Sequence, residues 1–166
     1  TLFFYPGSSI GNFTPPDGVR FLAGPLEQCC VRHGRALRIG VDGKKDKAVL
    51  DAAYDDALGV TAAFNLNVLR HLNSRHGFDF DVAAFRHVGF YNEAEGRIEM
   101  HLEAKRELVV HIDGHERLFR VGERIHTENS YKYTLGDFES LLGAAGFRVE
   151  RCWRDEQDWF AVIHAR

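Results

Sequence analysis

Leu2-Phe3-Phe4-Tyr5-Pro6-Gly7-Ser8-Ser9-Ile10-Gly11-Asn12-Phe13 is the stretch that decides the fold. Its first four residues are a short apolar run closed by Pro6-Gly7, with the length and flanks of a buried strand. A loop of small residues follows. Thr14-Pro15-Pro16-Asp17 then reads as an N-cap with prolines in the first helical turn. Ala36-Leu37-Arg38-Ile39-Gly40-Val41-Asp42 is a second strand, so the opening order is strand, loop, helix, strand. In an open α/β sheet ligands bind outside the carboxyl ends of the strands. The Gly7–Asn12 loop stands at such an end. A chain that begins directly in a buried strand is expected to be the later part of something longer.

Working outward, Phe21, Leu22, Leu26 and Val31 give the first helix a stripe that Gly24-Pro25 should break or restart. Residues 46–56 and 60–76 carry helical periodicity, the second through Phe64, Val68, Leu69 and Leu72. After Gly77 the character changes to short strands: Val88-Gly89-Phe90-Tyr91, Arg97 to Leu102, and Leu108 to Ile112. Asn92 to Gly96 and Asp113-Gly114 are the hairpin turns between them. Thr134 with Asp137 approximates a capping box, and Gly146 is a C′ glycine for that helix. Strands over 148–154 and 159–164 close the chain. The expected class is α/β: the second half of a doubly wound sheet with an inserted α+β region.

The 166 residues suit one ordinary domain, with 45% hydrophobic and 27% charged residues, which excludes disordered and fibrous chains. A net charge of −3 argues against a nucleic-acid partner, whose footprint would be basic. No apolar run reaches the ~20 residues of a membrane span. Three cysteines without a C-x-x-C spacing suggest a reduced, cytoplasmic protein.

Nine histidines raise the question of metal. His111 and His115 straddle a turn, and Glu99 and His101 share a strand face without a third ligand in spacing. Scattered histidines are the reading, and no metal is expected. Cys29, Cys30 and Cys152 read as buried, inert thiols. Ser9 has the G-x-S-x-G spacing, but Asn12 to Pro16 intervenes where a nucleophile elbow should enter its helix. Asn12 can donate to a carboxylate and accept from an amine, which suits a zwitterionic amino acid. Equally, it can cap the turn at Thr14-Pro15. Glu128 and Ser130, at i and i+2 of an extended segment, point the same way. Together they can accept from and donate to the two nitrogens of one imidazole. A surface carboxylate beside a serine is the plainer alternative.

Several segments form one ordered set: Tyr5 to Phe13, Gly40-Val41-Asp42 with Lys45-Asp46, and Ala53 to Asp56 running into Gly59 to Asn67. Phe85-Arg86-His87, Tyr91-Asn92, Arg97 to Leu102 and Thr127 to Tyr133 continue it. Over essentially the whole chain this set resembles the histidine-specific Nα-methyltransferases of ergothioneine biosynthesis. The resemblance implies S-adenosylmethionine as methyl donor, L-histidine as substrate and trimethylhistidine (hercynine) as product. It also implies a Rossmann-like methyltransferase sheet, here residues 1–45 and 133–166, with an inserted substrate-binding region at 46–132. By position, Asn12 would hold the backbone end of histidine and Tyr54 would face the substrate. Glu128 and Ser130 would grip the imidazole, Gly7 would line the site, and Met100 would form a pocket wall. No catalytic acid or base is implied, because a positioned neutral amine attacks the sulfonium methyl in line.

The resemblance covers the carboxyl half of the family's pattern. The first strands of the sheet, their glycine-rich loop and the acidic residue for the cofactor ribose are missing, so the cofactor-binding residues are unknown. The expected partner is the amino-terminal half of the same protein. A relative that methylates another amine, and a non-catalytic amino-acid-binding remnant, remain the alternatives.

Overall fold

The computed structural model describes residues 2–29 and 36–166. The chain divides into two compact units, one of Thr1–Asp46, Glu93–Arg97 and Asn129–Arg166, the other of Lys47–Asn92 and Ile98–Glu128.

The first unit holds strands β1 (Leu2–Tyr5), β2 (Ala36–Asp42), β8 (Val149–Arg154) and β9 (Phe160–Ala165) in the order β1-β2-β9-β8. β1 and β2 are parallel and β9 is antiparallel to both β2 and β8, giving a mixed sheet. Leu37, Ile39 and Val41 stand opposite Ala165, Ile163 and Ala161, and all six are buried. This is the period-two pattern of a strand whose side chains meet a packed layer. Helices α1 (Pro15–Cys29) and α4 (Leu135–Ala144) supply Leu22, Phe138, Leu141 and Leu142 to the same core. The Thr134 hydroxyl accepts from the Asp137 N–H and the Asp137 carboxylate accepts from the Thr134 N–H, the expected capping box. Gly146 follows at φ 84°, as a C′ residue should.

Three expectations fail in this unit. β1 is not a buried strand: it stands at the edge of its sheet with Leu2 and Phe4 exposed. α1 continues through Gly24-Pro25 instead of breaking, since a proline removes one helical hydrogen bond without obliging the helix to end. Cys152 is exposed, not buried, because β8 is the outer strand of its sheet. Cys30 and Val31 lie outside the described residues.

The second unit carries α2 (Lys47–Tyr54), α3 (Val60–His76), the hairpin of β5 (Leu108–Ile112) and β6 (His115–Phe119), and most of a three-stranded sheet. That sheet is ordered β3 (Phe85–Asn92), β4 (Arg97–Ala104), β7 (Arg124–Tyr131). α3 starts where Asp56 accepts from the N–H groups of Val60 and Thr61, and it stops at Gly77 with φ 70°. Ile98 and Met100 pack with Leu50 and Tyr91, while Leu102 and Ala104 join Leu69, Phe80 and Phe119. The alternate residues Glu99, His101 and Glu103 lie on the other face, as strand alternation requires. Gly89 has to be glycine where β3 meets the end of α2: a Cβ there would stand 2.7 Å from the Tyr54 carbonyl oxygen. Among the described residues no helix is long and apolar enough to cross a membrane.

Candidate functional site

The residues singled out by sequence divide between the two units. Gly7, Asn12 and Ser130 belong to the first, and Tyr54, Met100 and Glu128 to the second.

In the first unit, parallel pairing of β1 with β2 sets their carboxyl ends side by side. The backbone leaves β1 through Gly7 and Ser8, both at positive φ, and makes a 3-10 turn over Ser9–Asn12. Ser9 therefore lies in a turn and not at a strand-to-helix elbow. The Ser8 hydroxyl accepts from the Asp42 N–H at 2.8 Å, tying the loop to the end of β2. Asn12 is exposed at the end of the turn. α1 is capped by Thr14, whose Oγ1 accepts from the Asp17 N–H, so the capping role weighed for Asn12 falls to Thr14. Gly11 lies so close to β7 that a Cβ would come within 2.7 Å of the Tyr131 carbonyl oxygen and 3.4 Å of Ser130 Oγ. This contact brings the turn that carries Asn12 onto Ser130.

Behind Ser130 is a buried ion pair that sequence reasoning did not find. Lys132, with 1% of its side chain exposed, donates to Ser130 Oγ at 2.9 Å and pairs with Asp42 Oδ2 at 2.9 Å. Lys45 binds the other oxygen of the same carboxylate. An isolated buried charge is costly, and pairing with hydrogen bonds is what makes it tolerable. Asp42 and Lys132 are too far apart in sequence for any spacing rule; only the bridge of Gly43 to Tyr133 aligns them.

In the second unit, Met100 is buried with Leu50, Tyr91 and Ile98, and Tyr54 packs against this cluster. Tyr54, expected to face the substrate, and Met100, expected as a pocket wall, thus share one apolar cluster, and Met100 is buried on the face of β4 opposite Glu99 and His101. His87 Nε2 lies 2.8 Å from the Tyr54 carbonyl oxygen and fixes the end of α2. Glu128 is half-buried near the end of β7, two residues before Ser130 on the same strand. Regular alternation directs both side chains to one face of β7.

That face of the sheet also answers the histidine question differently from spacing. Glu99, His101 and His126 come together, with one donor atom from each within 4.8 Å of the others. The third partner comes from β7, which is why spacing along β4 missed it. Glu99 accepts from Asn92 Nδ2 at 3.1 Å and lies 3.1 Å from His101 Nε2. The His101 ring is stacked between Phe90 and His126, at 5.6 and 4.5 Å between centroids. The arrangement is a stacked, hydrogen-bonded wall. Burial pushes the His101 ring below its ordinary value, against the upward pull of Glu99, so the ring favours its neutral form.

The described elements make a mixed α/β fold. The CcbJ methyltransferase from Streptomyces caelestis shares this fold at a TM-score of 0.50 and 10% identity, over 99% of this chain and 56% of that one. All of residues 1–166 match the family described as histidine-specific methyltransferase, SAM-dependent, and the chain belongs to that family. The histidine N-alpha-methyltransferase of Mycobacterium tuberculosis is 42% identical over 97% of this chain, and that of Mycolicibacterium smegmatis 40% over 97%. The ergothioneine biosynthesis protein 1 of Neurospora crassa is 34% identical over 89% of the chain. The chain spans 50% of the length of each mycobacterial relative.

Proposed function

We propose that this chain is the substrate-side half of an enzyme that methylates the α-amine of L-histidine to trimethylhistidine in ergothioneine biosynthesis. The observation that carries the reading is Glu128 and Ser130 on one face of β7, with the Asn12 turn packed onto Ser130. Asn12 holds the amino-acid end of the substrate. Glu128 accepts from one ring N–H and Ser130 donates to the other nitrogen. Gly7 keeps the loop low at the strand end, and Tyr54 faces the substrate, whereas Met100, packed in the core on the opposite face of β4, supports the sheet from behind.

S-adenosylmethionine supplies the electrophilic methyl. Among the described residues the acidic group at a strand end, Asp42, is engaged by Lys45 and Lys132 through its two carboxylate oxygens, which favours a structural role for it over a ribose contact. The cosubstrate is accordingly assigned to the amino-terminal half. What the residues here contribute is orientation, which converts a bimolecular attack into an aligned one.

A second reading, methylation of another amine, has one relative in its favour. The L-tryptophan methyltransferase of Psilocybe serbica is 29% identical over 96% of the chain. Incubating the full-length protein with S-adenosylmethionine and single amino acids decides between them by product mass. Histidine carrying three added methyl groups is expected. Efficient methylation of tryptophan with none of histidine would overturn the assignment. Calorimetry on the isolated chain is expected to register no S-adenosylmethionine binding, and micromolar affinity would contradict the placement of the cosubstrate.

A further inference from the structure

We propose that Lys132 is a positioning residue that fixes the Ser130 hydroxyl as a hydrogen-bond donor, so that the site takes the histidine ring through a nitrogen bearing a lone pair. This rests on the reading of Ser130 as an imidazole contact and adds a residue and a direction to it.

The direction follows from chemistry alone. An ammonium has only donors, so at 2.9 Å Ser130 Oγ must accept from Lys132 Nζ. A serine has a single hydroxyl proton, and an oxygen already accepting from a cation is polarised toward giving that proton away. Charge-assisted hydrogen bonds are the strong ones, and this one is buried, with Ser130 at 5% and Lys132 at 3% exposure. Asp42 keeps the ammonium from swinging away: its Oδ2 holds Nζ at 2.9 Å, while Lys45 anchors the other oxygen. Ser8 further ties the Asp42 backbone to the substrate loop. The array Asp42–Lys132–Ser130 therefore starts at the end of β2 and delivers one oriented O–H.

The consequence is selective. An imidazolium would present an N–H to Ser130, with the Lys132 cation directly behind the oxygen. A neutral ring presents a lone pair there and its single N–H to Glu128. A phenyl or aliphatic side chain offers neither a lone pair to Ser130 nor an N–H to Glu128 and forgoes both contacts, which is what makes such sites discriminate.

The test is a double-mutant cycle in the full-length protein, with L-histidine and S-adenosylmethionine as substrates and kcat and KM measured separately. Lys132→Met in the wild-type background should raise the histidine KM about tenfold with a smaller change in kcat, the value of about one hydrogen bond. In a Ser130→Ala background the same substitution should change KM by less than about threefold, because its target is gone. An equal fold-change in both backgrounds, or none in the wild-type background, overturns the proposal. Should Lys132→Met fail to fold, Asp42→Asn replaces it in the same cycle, loosening the ammonium while keeping the side-chain shape, and the same criterion applies. Ser130→Ala alone separates the two levels. A KM effect there with additive Lys132→Met sinks only the positioning role. No effect of Ser130→Ala on KM or kcat removes the imidazole contact itself.

Discussion

β2 is an interior strand of the four-stranded sheet and β4 the middle strand of the three-stranded one, and they handle burial differently. β2 covers Leu37, Ile39 and Val41 with hydrocarbon from α1, α4 and β9. β4 does so on one face only, through Ile98, Met100, Leu102 and Ala104. On its other face it holds Glu99 and Glu103 at 8% and 7% exposure. Each buried carboxylate is partnered, Glu103 by Arg86 and Arg124, Glu99 by Asn92 and His101. An apolar strand needs nothing more from its neighbours than shape. A strand with buried charges needs specific partners, and a sheet face built that way is suited to recognising a polar ring. The first unit is therefore packed with hydrocarbon and has one polar array at its strand ends, and the second unit has a polar sheet face.

The comparison can be broken at its apolar end first. Phe138 is fully buried in the first unit. Phe138→Ala should cost about 3–5 kcal/mol of stability, read as a large fall in the urea midpoint. Histidine preference in the surviving folded fraction should be unchanged. On the proposed reading Asn12→Ala removes a hydrogen bond to a charged group of the substrate, and, Asn12 being exposed, nothing from the core. A loss of ~1.5–3 kcal/mol, about ten- to a hundredfold in apparent histidine affinity, is expected with unaltered thermal stability. An unchanged KM and turnover would make Asn12 a turn residue only. Glu103→Gln probes the polar face without touching the site. Its guanidinium partners are more than two-fifths exposed, so solvent screening holds the loss to about 1 kcal/mol.

The smallest effect is a pH dependence. Backbone N–H groups of Thr61 and Val60 hold Asp56 at about 2, below its ordinary 3.8. Between these values the unfolded chain binds more protons, so stability rises with pH there. The contribution is complete above the unfolded value and lost as pH falls through about 2. Asp56→Ala should therefore destabilise at neutral pH, and its difference from wild type should shrink as pH falls below 4. A constant difference across that range would mean that Asp56 does not cap α3 as an anion.

Local signals were the legible part of this fold. Gly59 and Gly77 punctuate α3 at both ends, and Thr134 with Asp137 and Gly146 bracket α4, each a short-range rule with a stereochemical cause. Asp113-Gly114, both at positive φ, marks the β5–β6 hairpin for the same reason. What stayed hidden depends on register between distant strands. His126 reaches the Glu99–His101 pair only through the packing of β7 on β4, and Lys132 reaches Asp42 through the Gly43–Tyr133 bridge. Cys152 is exposed because β8 is an edge strand whose Glu150, Arg151 and Arg154 also face solvent. Glu128 and Ser130 were legible as a carboxylate and a hydroxyl at i and i+2 of one strand, whereas the Asp42–Lys132 array behind Ser130 was not.

The central claim is that Glu128 and Ser130 read the imidazole ring, and the measurement that tests it is selectivity. Glu128→Ala with Ser130→Ala in the full-length protein should lower kcat/KM for histidine by at least ~100-fold. Preference for histidine over phenylalanine or leucine should shrink in the same variant, because apolar side chains no longer strand two polar groups. Loss of activity on every amino acid by the same factor, with selectivity intact, would contradict the account and place the imidazole clamp elsewhere.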